Sequence, residues 1–438
     1  MCSFTVTSSN HDLVKTNFFS KKRGPDHTQI ETINGIQFLH NLLHITGDKI
    51  IQPFKKDDVV CVFNGEIYNY RDFASYKSDG ECIIPLYLQY GINFAKKLDG
   101  EFSICLVDFK KSNIILVNDT FSTKPIWIGT DGYNWGVASY ESSLRLCGYS
   151  DITKLPGNCA WCLDLKTLEQ LDSVRLTDFD LSQHKNTYDD WIRAFEKSIE
   201  KRTKNTNCKI FLGLSAGYDS GAISCELIKQ NIEFKAYTIM SNEDRFVMSE
   251  RYDRLVSGKQ INLSEDDYQR MYKNIISNCE DFKYQDKYKD YNIKNDKASV
   301  GLATICDIAS KEGYRIYLSG QGADEIISDY GFGGRKIYDH SSFGGYFPRD
   351  LNDIFPWHSF YDGTQIQYLN KEEYVAGSFG IETRYPFLDR QLVQEFLWLS
   401  CDLKNKKYKA PIDEYLLKND YPYQCGVKTG FQANRNLI

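Results

Sequence analysis

The sequence predicts a chain in two parts, an α+β half followed by an α/β half, and three observations carry that division. Up to about residue 175, short apolar runs separated by turn signals give the pattern of an antiparallel sheet. From about residue 186, strands alternate with longer helical segments, as in a parallel sheet covered by helices. The 438 residues exceed one ordinary core, and 42% hydrophobic content with 14% aromatic residues is enough to pack two.

In the first half, Val59-Val60-Cys61-Val62-Phe63 reads as a strand ending in a turn at Asn64-Gly65, because Asn-Gly is a strong hairpin signal. FSICLVDF and IILVND flank the polar KKSN and read as a hairpin; GYNWGVAS and NCAWCLDL extend the sheet, and a helix is expected near Glu81 to Tyr90. The polar RLTDFDLSQHKNTYDDW is the expected linker, so the domains are placed at 2–175 and 186–438. In the second half, KIFLGL and EFKAYTI read as strands around the helical GAISCELIKQN. ASVGLATICDIASKEG reads as a helix, RIYLSG as a buried strand, and GADEIISDY as the start of another helix.

Several function classes fall away on composition. A formal charge of −6 gives no basic footprint for nucleic acid. No apolar run nears the roughly 18 residues of a membrane span, and MCSFTVTSSNHD lacks a signal-peptide pattern. A cytoplasmic protein acting on small molecules is expected. The 13 cysteines are scattered through apolar stretches, as reduced core residues are. Cys159 and Cys162 have C-x-x-C spacing without a second pair. His40 and His44 have i, i+4 spacing without the metalloprotease glutamate, and read as a packed helix or loop pair.

Chemistry concentrates in two small-residue loops, each at the end of an expected strand. KIFLGLSAGYDSG contains Gly213-Leu214-Ser215-Ala216-Gly217, a literal G-x-S-x-G match, and a hydrolase reading can nominate Asp324 with His340 or His358. No HGG-type oxyanion segment accompanies it. Instead Asp219 and Ser220 follow directly, and a similar loop recurs as Ser319-Gly320-Gln321-Gly322-Ala323-Asp324. Either loop alone reads plainly as turn glycines and capping aspartates. Two together suit a phosphate chain with Mg²⁺: N–H groups and hydroxyls for the anion, carboxylates for the cation. The absence of G-K-[ST] excludes a Walker loop.

SAGYDSG resembles the pyrophosphate-binding loop of ATP-pyrophosphatase synthetases. SGQGADE and Glu382-Thr-Arg-Tyr-Pro-Phe-Leu-Asp389 are similar to segments of the asparagine synthetase family. Met1-Cys2, Arg23-Gly24-Pro25-Asp26, Asn64-Gly65-Glu66-Ile67-Tyr68-Asn69 and Ser78-Asp79-Gly80-Glu81 resemble the class II glutamine amidotransferases. The resemblance implies an N-terminal-nucleophile αββα sandwich followed by a parallel-sheet synthetase domain of the adenine-nucleotide alpha-hydrolase-like kind. Its substrates would be glutamine, ATP and a carboxylate acceptor, with Mg²⁺, and it is compatible with a homodimer.

By that resemblance Cys2 is the nucleophile, Asn64 and the Gly65 N–H form the oxyanion hole, and Glu66, Asp79 and Arg23 bind glutamine. With Met1 removed, the free α-amine of Cys2, of ordinary pKa about 7.7–8.0, can take the thiol proton. Leu214, Ser215, Gly217, Asp219, Ser220, Ser319 and Gly320 would bind ATP and pyrophosphate. Asp219 and Asp324 would hold Mg²⁺, and Lys428 would stabilise phosphate charge. The Ser215 hydroxyl is then a ligand in a cradle.

Three departures from the family pattern stand out. Leu42 falls where an arginine should clamp the glutamine carboxylate, so weaker glutamine binding is expected. Gln321 stands where an acidic residue is common and cannot act as a base, so that task is expected to fall to Glu382, water or substrate. Ser3 and Ala216 replace glycines. An asparagine synthetase, an amidotransferase for another carboxylate (a sugar acid, peptide or metabolite), and a binding or regulatory protein without turnover are the three readings. Intact Cys2, Asp219 and Asp324 speak against the last.

Overall fold

The structure is a computed structural model that describes residues 2–285, 288–331, 341–426, 431 and 433. It divides into two compact units. The first runs to Asp178 and takes in Asn205–Asn207 and Gly377–Ile381; the second comprises Phe179–Lys204, Cys208–Ala376 and the chain from Glu382 onward. The division at 175–186 leaves out the two returning segments, since such short excursions carry no compositional mark.

The first unit has strands β1 (Ser3–Thr7), β2 (His27–Ile33), β3 (Ile36–Leu42), β4 (Phe54–Lys56), β5 (Val59–Ile67), β6 (Gly100–Asp108), β7 (Asn113–Asn118), β8 (Trp127–Thr130), β9 (Trp135–Ala138), β10 (Asp151–Lys154), β11 (Cys159–Asp164) and β12 (Gln170–Arg175). Two 6-stranded antiparallel sheets result, ordered β10-β8-β9-β1-β3-β2 and β12-β11-β7-β6-β5-β4. Strand alternation builds the layers. Phe4, Val6 and Phe38 of one sheet meet Val60, Val62, Cys105 and Val107 of the other. On the second sheet's far face, Cys61, Phe63, Ile104 and Leu106 pack under helix α1 (Ile83–Tyr90) through Ile83, Leu86 and Tyr87. The first sheet is covered by the helix Glu141–Leu146, which lies against β8, β9 and β10. Both faces of β5 are buried, which is why VVCVF is apolar without a break.

One expectation is overturned here. Asn64-Gly65 is not a turn but lies inside β5, paired with Ser103 and Phe102 of β6. Gly65 has φ 134°, and a Cβ there would stand 1.9 Å from the Glu101 carbonyl oxygen. The glycine serves a close approach between strands. His40 likewise sits in a strand, β3, not in a helix or loop.

The second unit carries β13 (Lys209–Gly213), β14 (Phe234–Ile239), β15 (Gly258–Ile261), β16 (Tyr314–Leu318) and β17 (Glu382–Arg384), all parallel, in the order β15-β14-β13-β16-β17. Its helices include α2 (Asp189–Thr203), α3 (Tyr218–Lys229), α4 (Arg245–Tyr252), α5 (Lys297–Lys311), α6 (Ala323–Ile327), α7 (Thr364–Gly377), α8 (Arg390–Trp398) and α9 (Ala410–Lys418). From β13 the chain winds outward through β14 and β15, then returns to β13's other side for β16 and β17. The loops after β13 and β16 therefore border the point where strand order reverses, the place where open α/β sheets bind ligands.

Candidate active sites

In the first unit, alternation decides what faces what. Cys2, one residue before β1, has the parity of Phe4 and Val6, which point between the sheets. Asn64 and Glu66 have the parity of Val60 and Val62, and His40 and Leu42 that of Phe38. All of these residues are buried. The Cys2 thiol lies 4.0 Å from the Leu43 carbonyl oxygen, and Arg23, fully enclosed, donates from Nε to the Cys2 carbonyl at 2.8 Å. Arg23 thus fixes the Cys2 backbone. The Asp79 carboxylate accepts from Ile67 N at 2.9 Å and Gly80 N at 2.9 Å, which ties it to the end of β5 beside Glu66.

Asn64 is the most telling residue of this site. Its side-chain nitrogen and oxygen are both enclosed with no hydrogen-bond partner among the described residues. A buried amide without partners costs roughly 1–3 kcal/mol, a cost that a donor kept ready for an oxyanion explains. His40 is buried with both ring nitrogens equally unpartnered. Burial lowers its pKa to about 3, so it is neutral at physiological pH. Leu42 lies on the same face and is 7% exposed.

In the second unit, the loop after β13 folds on itself. Leu214 ends the strand, its N–H bonded to the Tyr237 carbonyl at 2.8 Å and its carbonyl to the Thr238 hydroxyl at 2.7 Å. The hydroxyls of Ser215 and Ser220 are 2.9 Å apart, Ser215 N donates to Ser220 Oγ at 3.1 Å, and Gly217 caps α3. Ala216 N donates to the Glu243 carboxylate at 2.6 Å, and Arg251 on α4 donates to the Ser215 carbonyl. Burial raises the Glu243 pKa and lowers that of Arg251 to about 10. The loop after β16 is drawn tight by Gln321 N on Ser319 Oγ at 3.0 Å. At Gly320 a Cβ would stand 2.9 Å from the Asp219 Cβ, so the two loops touch and only glycine fits there.

The two aspartates converge on one cation. Lys409 Nζ lies 2.7 and 2.8 Å from the Asp219 oxygens and 2.7 Å from Asp324 Oδ1. Tyr408 donates its hydroxyl to Asp324 Oδ1 at 3.1 Å. Two carboxylates that can share an ammonium can share a divalent cation, so the donor set fits Mg²⁺. Sequence reading missed Lys409, because within KNKKYKAP it looks like one of several solvated lysines.

A glutamine amidotransferase domain model matches residues 1–151, and an asparagine synthase model matches residues 190–362. The glutamine-hydrolysing asparagine synthetase of Gallus gallus is 26% identical over 464 residues, spanning 91% of this chain and 76% of its own length. That of Arabidopsis thaliana, numbered 1, is 25% identical over 440 residues, spanning 92% and 69%. The chain thus carries the match to a glutamine amidotransferase domain followed by an asparagine synthase domain, and over most of its length it is similar to glutamine-hydrolysing asparagine synthetases.

Buried ion pairs hold both ends of the segment Glu382–Asp389. Glu382 lies opposite Ile316, two residues short of the end of β17, and its Oε1 accepts from Arg384 Nε at 2.7 Å with both side chains 1% exposed. That ion pair holds Glu382 in place on β17. Asp389 caps α8 and meets Lys201 at 2.8 Å and Arg202 at 3.2 Å, locking α2 to α8. A different carboxylate stands nearer the second loop: Glu372, on α7, faces the Ser319 hydroxyl. Its Oε2 is enclosed without a hydrogen-bond partner, and burial pushes its pKa up to about 7. Lys428 lies outside the described residues. No described helix is long and apolar enough to cross a membrane.

Proposed function

We propose that this protein is a glutamine-dependent amidotransferase of the asparagine synthetase type. Glutamine is hydrolysed at Cys2, and the ammonia displaces AMP from an adenylated carboxylate. Aspartate is the acceptor, giving asparagine, AMP, pyrophosphate and glutamate. The observation that carries the reading is the meeting of two small-residue strand ends at the switch point, their aspartates drawn onto one cation, in a chain whose first part matches a glutamine amidotransferase domain.

With Met1 removed, the Cys2 α-amine takes the thiol proton and Sγ attacks the glutamine carboxamide. The Asn64 amide, kept unpartnered, and the Gly65 N–H receive the developing oxyanion, while Glu66 and Asp79 hold the substrate amine. Ammonia leaves, and water releases glutamate from the thioester. In the second unit, Ser215, Gly217, Ser220, Ser319 and Gly320 bind the ATP phosphates around the end of Leu214. Asp219 and Asp324 would hold Mg²⁺, which when bound would supply positive charge against the pyrophosphate. Glu372, with its raised pKa, accepts the proton that the attacking ammonia must lose, a task beyond Gln321. The substrates are small metabolites, and a cytoplasmic location is part of this proposal.

The test is Cys2→Ala assayed with glutamine and with ammonium as alternative donors. Glutamine-dependent amide formation should vanish while ammonium-dependent formation persists. Loss of both, or retention of glutamine use, would refute the reading, as would Met1 retained in fully active protein.

A further inference from the structure

We infer that Lys409 is a built-in counter-cation that clamps Asp219 to Asp324 and keeps their seat from taking a free divalent ion, so that metal is captured only together with nucleotide. The inference rests on the reading of these aspartates as Mg²⁺ ligands.

Three observations carry it. The Lys409 ammonium is 1% exposed, whereas Asp219 and Asp324 side chains are 20% and 10% exposed. The lysine therefore grips the carboxylates from the protein side and leaves their outer edges open to solvent. Second, it contacts both oxygens of Asp219 and Oδ1 of Asp324 at 2.7–2.8 Å, the short range of charge-assisted hydrogen bonds. Third, Lys409 holds a left-handed backbone, φ 47° and ψ 45°, at the start of α9. A non-glycine residue keeps that conformation only where its surroundings determine it, and such residues gather at functional sites.

The consequence is electrostatic. Two adjacent carboxylates carry charge −2 and would bind a divalent ion unaided; with the ammonium between them the set carries −1. A cation then gains enough only when phosphate oxygens complete its shell, since Mg²⁺ is commonly bound by one or two carboxylates plus substrate phosphates. Lys409 thus acts as a positioning residue. It holds the two loops' carboxylates together before metal arrives, and it makes metal entry depend on ATP.

The experiment uses the full chain without nucleotide and Mn²⁺ as the probe, its free concentration read by electron paramagnetic resonance. The wild type should bind Mn²⁺ weakly alone and at least roughly tenfold more tightly with α,β-methylene-ATP, one charge at contact distance accounting for a change of that order. Lys409→Met should bind Mn²⁺ at least tenfold more tightly than wild type in the absence of nucleotide, and should melt lower without metal and recover on adding Mg²⁺. Lys409→Arg, which keeps the charge, should stay weak. Tight nucleotide-free binding by the wild type would overturn the inference even if Lys409→Met failed to fold. So would unchanged or weaker binding by a folded Lys409→Met. Asp219→Asn tells the two levels apart: if Mn²⁺ still binds with nucleotide in that variant, the metal-ligand reading itself has failed.

Discussion

Asn64 separates function from stability at the level of one side chain. Because its amide is buried and unpartnered, Asn64→Ala should leave the melting temperature unchanged or raise it. Glutamine hydrolysis should nevertheless slow by about 10²–10³, the usual cost of one oxyanion donor. A variant that melts lower but hydrolyses glutamine normally would contradict the assignment. Leu42 makes the opposite case. Leu42→Arg places a charge on the buried face that carries Cys2, so it should lower stability in the absence of glutamine. It should also reduce the glutamine KM about tenfold or more, one charged contact being worth about 1.5–3 kcal/mol; an unchanged KM would mean that another group already binds the carboxylate. Among the carboxylates, Glu372→Gln should slow amide transfer without loss of stability. In the wild type the rate should rise as pH increases through about 7, where Glu372 ionises. Glu382→Gln should lower the melting temperature, because it leaves Arg384 buried without its carboxylate. At this scale the sequence was informative about polar residues inside motifs. It was silent on Lys409 and Glu372 and took His40 for a packing residue of a helix or loop, because the significance of all three comes from burial and from neighbours far along the chain.

Elements were most legible where periodicity was strong and least where one dipeptide decided the matter. The β6–β7 hairpin and the β13-α3-β14 unit were readable from apolar runs and their separators. Asn64-Gly65 was misread because the same dipeptide that favours a tight turn is also the one way to bring β5 against the Glu101 carbonyl. Gly65→Ala should therefore break the β5–β6 pairing, lowering the melting temperature and abolishing glutamine hydrolysis together; a stable, active variant would contradict the clash expected of a Cβ placed 1.9 Å from the Glu101 carbonyl oxygen. The Pro-Phe-Leu-Asp run ends in a joint between helices, where Asp389 caps α8 and pairs with Lys201 and Arg202. Burial alone would raise the Asp389 pKa, yet the Lys201 ammonium and Arg202 guanidinium outweigh it and hold the carboxyl below its ordinary value. A depressed carboxyl stabilises the fold at neutral pH and loses that contribution as pH falls below about 4. Asp389→Asn should cost about 3–5 kcal/mol at pH 7, since it leaves buried cations unpaired. The gap from wild type should narrow on acidification; a constant gap would contradict the ion-pair account.

At the scale of the whole molecule, the two cores were foreseeable from the change of pattern near residue 180, while the segments that return to the first unit were not. The two chemistries likewise divide by unit: an amide is opened in the first and an ATP-activated carboxylate is consumed in the second. In the proposed reaction the SAGYDSG and SGQGADE loops hold ATP so that it breaks between its α- and β-phosphates. Separation of nucleotide products by chromatography, after incubation of the protein with ATP, Mg²⁺, glutamine and aspartate, tests this most directly. AMP and pyrophosphate should form in equal amounts with asparagine and glutamate, with Asp219→Asn nearly inactive and Ser215→Ala retaining much of the rate. Formation of ADP and phosphate, or turnover of an ester substrate that Ser215→Ala abolishes without need of ATP, would contradict it.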